Sequence, residues 1–214
     1  MIKAISLLLA LAGFVTAAQA QDAAAGQTKA AMCIGCHGIA GYQATFPQVY
    51  KVPMIAGQSA AYITAALTAY AGGERKHPTM RGIAATLSEK DMADLAAFYE
   101  QQGKGQKAAP AEAAATPPAK VAELLNKGAC ASCHGANFNK PVAPNYPKLA
   151  GQHGDYLLVA LKSYQHAEHA LAGRGNAIMV GQVKQFSAAE LKQLANYLAS
   201  LPGELQTVPQ SRFR

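Results

Sequence analysis

Apolar positions recur along this 214-residue chain at helical spacing, and they recur twice. Tyr62, Ile63, Leu67 and Tyr70 follow one another at intervals of one, four and three residues, which puts them on one stripe of an α-helix. Tyr156, Leu157, Leu161 and Tyr164 repeat that stripe 94 residues later. Farther along each copy, Leu87-Ser88-Glu89-Lys90-Asp91-Met92 matches Phe186-Ser187-Ala188-Ala189-Glu190-Leu191 at an offset of 99. Ser88 and Ser187 are good N-caps, and the acid three residues on completes a capping box. Leu87 with Met92, and Phe186 with Leu191, are placed for a hydrophobic staple. The spacing predicts helices running to about Glu100 and Ser200, burying Leu95 and Tyr99 in one and Leu194 and Leu198 in the other. No alternating, strand-like pattern is visible. The expected fold is all-α, in two homologous domains.

Two segments lie outside that repeat. Lys3 precedes an uncharged stretch, Ala4 to Ala18, centred on Leu7, Leu8, Leu9, Leu11 and Phe14 and ending in Ala18-Gln19-Ala20. A short positive end, a short apolar centre and small residues at the exit read as a secretory signal peptide over residues 1–20. A buried helix and an uncleaved anchor are the alternatives. Residues 103–118 are rich in Ala and Pro, including Pro110, Pro117 and Pro118, and suit a solvated linker. Pro118 can also open the following helix at its first turn, leading into Val121, Leu124 and Leu125. The first domain is then 21–102 and the second 119–214.

Composition sharpens the picture. Half the residues are hydrophobic, yet there is no Trp and aromatics are only 7%, so something other than large rings must fill two small cores. No apolar run approaches the ~20 residues of a membrane span. A large single-core enzyme and a polytopic membrane protein are both disfavoured. Export would place the cysteines in an oxidising compartment, where thiols pair or are covalently occupied.

The cysteines fall at equivalent places. Cys33-Ile34-Gly35-Cys36-His37-Gly38 returns as Cys130-Ala131-Ser132-Cys133-His134-Gly135. Cys-x-x-Cys-His in an exported chain is the attachment pattern for c-type haem. Two thiols about one helical turn apart can each form a thioether to a vinyl group, and the adjacent His then presents an imidazole nitrogen to the iron. A disulfide framework leaves each following His without a role. A zinc site would want its two halves far closer than 97 residues. A thioredoxin-like motif would want a βαβ setting. Two covalently attached haems also answer the shortage of aromatic core.

The sixth ligand separates carriers from enzymes, because an open iron binds oxygen or peroxide and a closed one mainly passes electrons. Met80 lies 43 residues after His37 and Met179 lies 45 after His134. These two are the expected axial partners of His37 and His134. Met32 is too close to Cys33, Met92 sits in a staple and Met54 has Lys148 as its counterpart. A bis-His site through His77 or His169 is the alternative; otherwise His77, His153, His166 and His169 read as surface residues. Pro53 and Pro147 begin a second repeated block, Pro53-Met54-Ile55-Ala56-Gly57-Gln58 and Pro147-Lys148-Leu149-Ala150-Gly151-Gln152. A backbone carbonyl there can accept the Nδ1–H of His37 or His134 and fix its tautomer; the alternative is that each proline simply stiffens a loop.

With these motifs in place, the chain resembles class I c-type cytochromes, and specifically the di-haem cytochrome c4 family, over nearly its whole length after the leader. The resemblance implies a periplasmic electron carrier with two tandem domains packed about a pseudo-two-fold axis. It implies Cys33, Cys36, His37 and Met80 at the first haem, and Cys130, Cys133, His134 and Met179 at the second. Its implied partners are redox proteins, a quinol–cytochrome c reductase and a terminal oxidase, or a dehydrogenase such as a sulfide- or alcohol-oxidising one. Nucleic acid is not among them, and no transmembrane span is expected after leader cleavage, though peripheral association with the membrane surface stays open.

Charge bears on docking. The whole chain is +7, with ten Lys or Arg against six Asp or Glu over 109–214 and eight against six over 21–108. Lys127, Lys140, Lys148, Lys162, Lys184 and Lys192 can steer an acidic partner or be ordinary solvated surface. The stretch from Tyr164 to Met179 is five residues longer than that from Tyr70 to Met80. Its His166, Glu168, His169 and Arg174 form a docking edge or are solvated. Three functions are in play: a soluble two-haem shuttle, an electron-accepting subunit of a dehydrogenase, and a di-haem peroxidase. Met80 and Met179 argue against the last.

Overall fold

The structure, a computed structural model, describes residues 21–105 and 116–209; the expected leader falls outside them. The first domain runs α1 (Ala23–Lys29), α2 (Ala31–His37), β1 (Gln43–Ala44), β2 (Tyr50–Lys51), α3 (Ala60–Gly72), α4 (Pro78–Ala84) and α5 (Glu89–Gln102). The second repeats the helices as α6 (Ala119–Lys127), α7 (Ala131–His134), α8 (Gly154–Gln165), α9 (Ala177–Val183) and α10 (Ala188–Ser200).

Both capping boxes are formed. Asp91 N–H donates to Ser88 Oγ at 3.1 Å while Ser88 N–H donates back to Asp91 Oδ2 at 3.0 Å. Ser187 and Glu190 exchange the same pair of bonds at the start of α10. Behind the caps, Leu95 and Tyr99 are buried in the first core and Leu194 and Leu198 in the second. Pro118 stands at the N-cap of α6 rather than within its first turn, with the extended ψ of 146° that a cap position allows. Val121, Leu124 and Leu125 of α6 then enter the core with Phe186 and Leu191.

One short ladder departs from the all-helical expectation. Gln43 pairs with Lys51, and Ala44 with Tyr50, in an antiparallel hairpin. The chain from His37 to Pro53 is three residues longer than that from His134 to Pro147, and the hairpin absorbs the excess. Strands of two residues are too short to leave an alternating signature.

The first core is built from small residues. Ala30, Ala56, Ala60 and Ala96 are buried in it beside Ile34, Ile63, Leu95 and Tyr99. Small size is required where α1 crosses α5: a Cβ on Gly26 would fall inside contact distance of the Asp94 carbonyl. Asp94 itself is fully buried at this crossing. The backbone N–H of Asp22 and then the Lys90 ammonium hold its carboxyl below the usual carboxylate range. The two bonds have ordinary lengths of 3.0 and 2.9 Å.

The domains dock through backbone as well as side chains. Lys76 N–H donates to Gly173 O and Gly175 N–H to Glu74 O, both at 2.8 Å, with Arg75 opposite Arg174 in an antiparallel bridge. After α10 the chain crosses onto the first domain, where Gln206 N–H donates to Ala56 O at 3.1 Å. Gly103, expected to open the linker, is instead buried against Gly57, with no room for a side chain.

Two outcomes follow from the α1–α5 crossing. Gly26→Ala forces the helices apart and is expected to cost about 1–3 kcal/mol of stability, measured by denaturant unfolding. Because Asp94 has a depressed folded pKa, its contribution is present above the unfolded value of about 3.9 and is lost as pH falls through the lower folded value. Asp94→Asn is therefore expected to flatten the acid limb of the unfolding curve relative to the parent chain.

Candidate functional site

Each Cys-x-x-Cys-His segment ends a short helix, α2 or α7, so that its histidine leaves the last turn facing the body of its own domain. His37 Nδ1 lies 2.9 Å from Pro53 O, and His134 Nδ1 lies 3.1 Å from Pro147 O. A carbonyl can only accept, so in both rings Nδ1 carries the proton and the Nε2 lone pair is left available. Burial pushes both imidazoles below their ordinary pKa, with the proline carbonyl pulling the other way in each case. Neutral imidazole is the form that binds a metal.

No disulfide joins any two of the four cysteines. Burial, first among the causes, raises the Cys33 and Cys130 thiols above their ordinary value. Among the described residues no group of three or more His, Cys, Asp or Glu converges as a zinc site would require.

Met80 and Met179 sit at the third position of α4 and α9. In each case the residue three places earlier caps the helix and takes the methionine's own N–H. His77 Nδ1 accepts it at 3.3 Å, and Asn176 Oδ1 accepts it at 3.1 Å. His77 Nε2 lies 3.0 Å from Tyr50 Oη. With Nδ1 accepting, Nε2 carries the proton and donates to the tyrosine, so neither nitrogen of His77 is free for iron. His77 is thus a half-buried cap and not a surface residue, and its counterpart in the second copy is Asn176. His166 and His169 are exposed, as expected, while His153 is half-buried at the N-cap of α8.

A cavity of about 850 Å³ runs through both domains. Cys33, Cys36, His37 and Met80 line it in the first, and Cys130, Cys133, His134 and Met179 in the second. Between the two sets it is lined by Arg75, Arg174 and a ring of tyrosines. Arg75 and Arg174 are only 9% and 8% exposed. Arg75 donates to Tyr62 Oη at 3.1 Å and Tyr156 Oη at 2.7 Å and lies over the Tyr70 ring. Arg174 lies over Tyr156 and Tyr164. Burial raises the Tyr62 phenol to about 12. It would raise Tyr156 likewise, but the Arg75 and Arg174 cations bring that phenol down to about 8.

Neither guanidinium has an ion pair with a carboxylate among the described residues, and the Arg75 Nε–H is buried without a partner. Buried cations left in this way call for an anion. A haem brings propionate carboxylates together with a large apolar plate. Thiols, neutral imidazole, thioether, apolar volume and unpaired cations are thus all present for it. Arg174 lies buried at the domain junction and belongs to no exposed docking edge. It and Arg75 stand five residues before Met179 and Met80, a repeat at the same offset of 99 that no motif marks, since a lone arginine carries no pattern.

The sequence matches the cytochrome c family twice, over residues 23–103 and 118–202. Cytochrome c4 of Azotobacter vinelandii is 31% identical, with 92% of this chain and 97% of that protein covered. The thiosulfate dehydrogenase electron acceptor of Thiomonas intermedia is 29% identical over 84% of this chain and 82% of its own. In three dimensions the chain is similar to the reduced cytochrome c4 of Pseudomonas stutzeri, with a TM-score of 0.62 and 25% identity over 86% of this chain and 100% of that one.

The Arg75 hydrogen bonds yield a measurable expectation. Arg75→Gln leaves Tyr62 without its charged donor and Tyr156 with only the longer bond from Arg174 at 3.4 Å, at a cost of about 1.5–3 kcal/mol read from urea unfolding of the loaded protein.

Proposed function

The chain belongs to the cytochrome c family as a two-domain member of the cytochrome c4 group, and on that premise we propose that it is a periplasmic shuttle between a quinol-oxidising complex and a terminal oxidase. Electron transfer is its activity, and it carries two covalently bound c-type haems. Each haem supplies one reversible one-electron change at its iron. In our reading Cys33 and Cys36 would hold the first haem by thioethers, and His37 and Met80 would ligate its iron. Cys130, Cys133, His134 and Met179 would do the same for the second. Pro53 and Pro147 orient the two imidazoles.

The observation that carries this reading is the duplicated Cys/Cys/His/Met set lining one cavity. A His and a Met at each site would supply two protein ligands to each iron, which suits a carrier and not a peroxidase. Access is supported at the rim, where Met32, Tyr42 and Phe46 both line the cavity and are exposed. Of the lysines expected to steer a partner, Lys148 is tied to Glu204 at 2.6 Å and Lys127 covers the Phe186 ring. Lys140, Lys184 and Lys192 remain exposed for that purpose. No helix among the described residues is long and apolar enough to cross a membrane.

A second reading has one observation in its favour. The similarity to a thiosulfate dehydrogenase electron acceptor supports service as the accepting subunit of a dehydrogenase. A subunit would co-purify in a stable complex, whereas a shuttle elutes alone and reduces oxidase in a salt-sensitive reaction.

An optical redox titration tests the carrier. Two high-potential transitions, a far-red Met–Fe(III) band worth two haems and no reaction with carbon monoxide or peroxide are expected. Met80→Ala is expected to halve that band and open one haem to carbon monoxide. Rapid ligand binding by the unaltered protein would overturn the reading.

A further inference from the structure

The repeated block that begins at Pro53 and Pro147 ends in a glutamine, and neither glutamine serves its own domain alone. Gln152 of the second domain accepts from Met54 N–H with Oε1 at 3.0 Å and donates to Met54 O with Nε2 at 2.9 Å. Gln58 of the first domain does the same to Lys148, accepting from its N–H at 3.0 Å and donating to its carbonyl at 3.1 Å. Each Oε1 also accepts the next backbone N–H, from His153 or Ser59, which holds the side chain at one angle. Both glutamines are 4% exposed.

Met54 and Lys148 directly follow Pro53 and Pro147, so the N–H that each glutamine takes belongs to the same peptide unit as the carbonyl holding an imidazole. The chain of bonds is continuous. His37 Nδ1–H donates to Pro53 C=O, whose peptide N–H, on Met54, donates to Gln152 of the opposite domain. His134 Nδ1–H donates to Pro147 C=O, whose peptide N–H, on Lys148, donates to Gln58. The two chains are crossed copies of one another.

A peptide that donates through its N–H becomes a stronger acceptor at its C=O, and in a buried site that polarisation is not screened away. A stronger pull on Nδ1–H makes the imidazole a more electron-rich ligand, which favours the oxidised iron. We propose that Gln58 and Gln152 are positioning residues, each tuning the iron of the opposite domain through that domain's histidine. The proposal rests on the axial role given to His37 and His134 above. It makes each reduction potential dependent on the domains being docked.

The test uses the full-length loaded protein, its two haems followed separately by their shifted NMR methyl resonances during a redox titration. Gln152→Met is expected to raise the reduction equilibrium constant of the haem on Cys33 and Cys36 roughly threefold, a small effect because a peptide intervenes between the glutamine and the imidazole. It should also move the His37 Nδ1–H resonance upfield in the reduced protein. Gln58→Met should do both to the other haem and His134. Gln152→Asn and Gln58→Asn keep the amide while shortening its reach, and serve where methionine prevents folding; the same crossed shifts are expected. Ser59→Ala removes a different bond between the domains, from Ser59 Oγ to Pro144 O at 2.6 Å, and should shift neither haem selectively. A shift on the variant's own haem, an equal shift on both, or a matching shift from Ser59→Ala overturns the relay and leaves the carrier standing. Loss of histidine ligation in the unaltered protein overturns both.

Discussion

Each imidazole facing the cavity is held by a backbone carbonyl, and a carbonyl is only as fixed as the peptide it belongs to. Here that peptide is pinned on both sides. Proline precedes the bond and restricts the backbone, and a buried glutamine from the other domain takes the N–H. The arrangement leaves Nε2 of His37 and His134 with the lone pair available. The cavity, the placement of Met80 and Met179 across it and the docking of the domains all have to be compatible with that one orientation.

The junction between domains is polar where a simple packing argument would make it greasy. Arg75 and Arg174 lie side by side in an antiparallel bridge, enclosed by Tyr62, Tyr70, Tyr156 and Tyr164. Two like charges so placed are costly in isolation. Phenol oxygens and ring faces offset part of that cost, and carboxylates carried by the bound groups would offset more. The assembly is therefore matched to its loaded form. On either side of this bridge Gly173 and Gly175 lie alongside Lys76 and Glu74.

The two domains are copies in plan but not in packing. The first relies on a glycine at the α1–α5 crossing and on alanines in its core. The second places Glu123 where Gly26 stands and packs Leu124, Phe138, Phe186 and Leu191 together. The first domain thus has less side-chain core of its own and more exposed apolar surface at the cavity rim.

Features encoded by local chemistry can be read along the chain. Ser88-x-x-Asp91 and Ser187-x-x-Glu190 specify helix starts within four residues, and Tyr62 to Tyr70 shows its buried face by its own period. The Cys-x-x-Cys-His pairs announce haem because thiol spacing and the adjacent imidazole belong to one turn. The remaining contacts come from the folded arrangement. That His77 caps α4 and donates to Tyr50, that Arg174 is buried and not a docking residue, and that Gln58 and Gln152 reach across to Lys148 and Met54 depend on residues 27 to 98 positions apart. A periodic pattern reports what one element turns toward its own core. Which side chains meet across a junction is set by how two folded bodies dock, and no spacing within either one contains that.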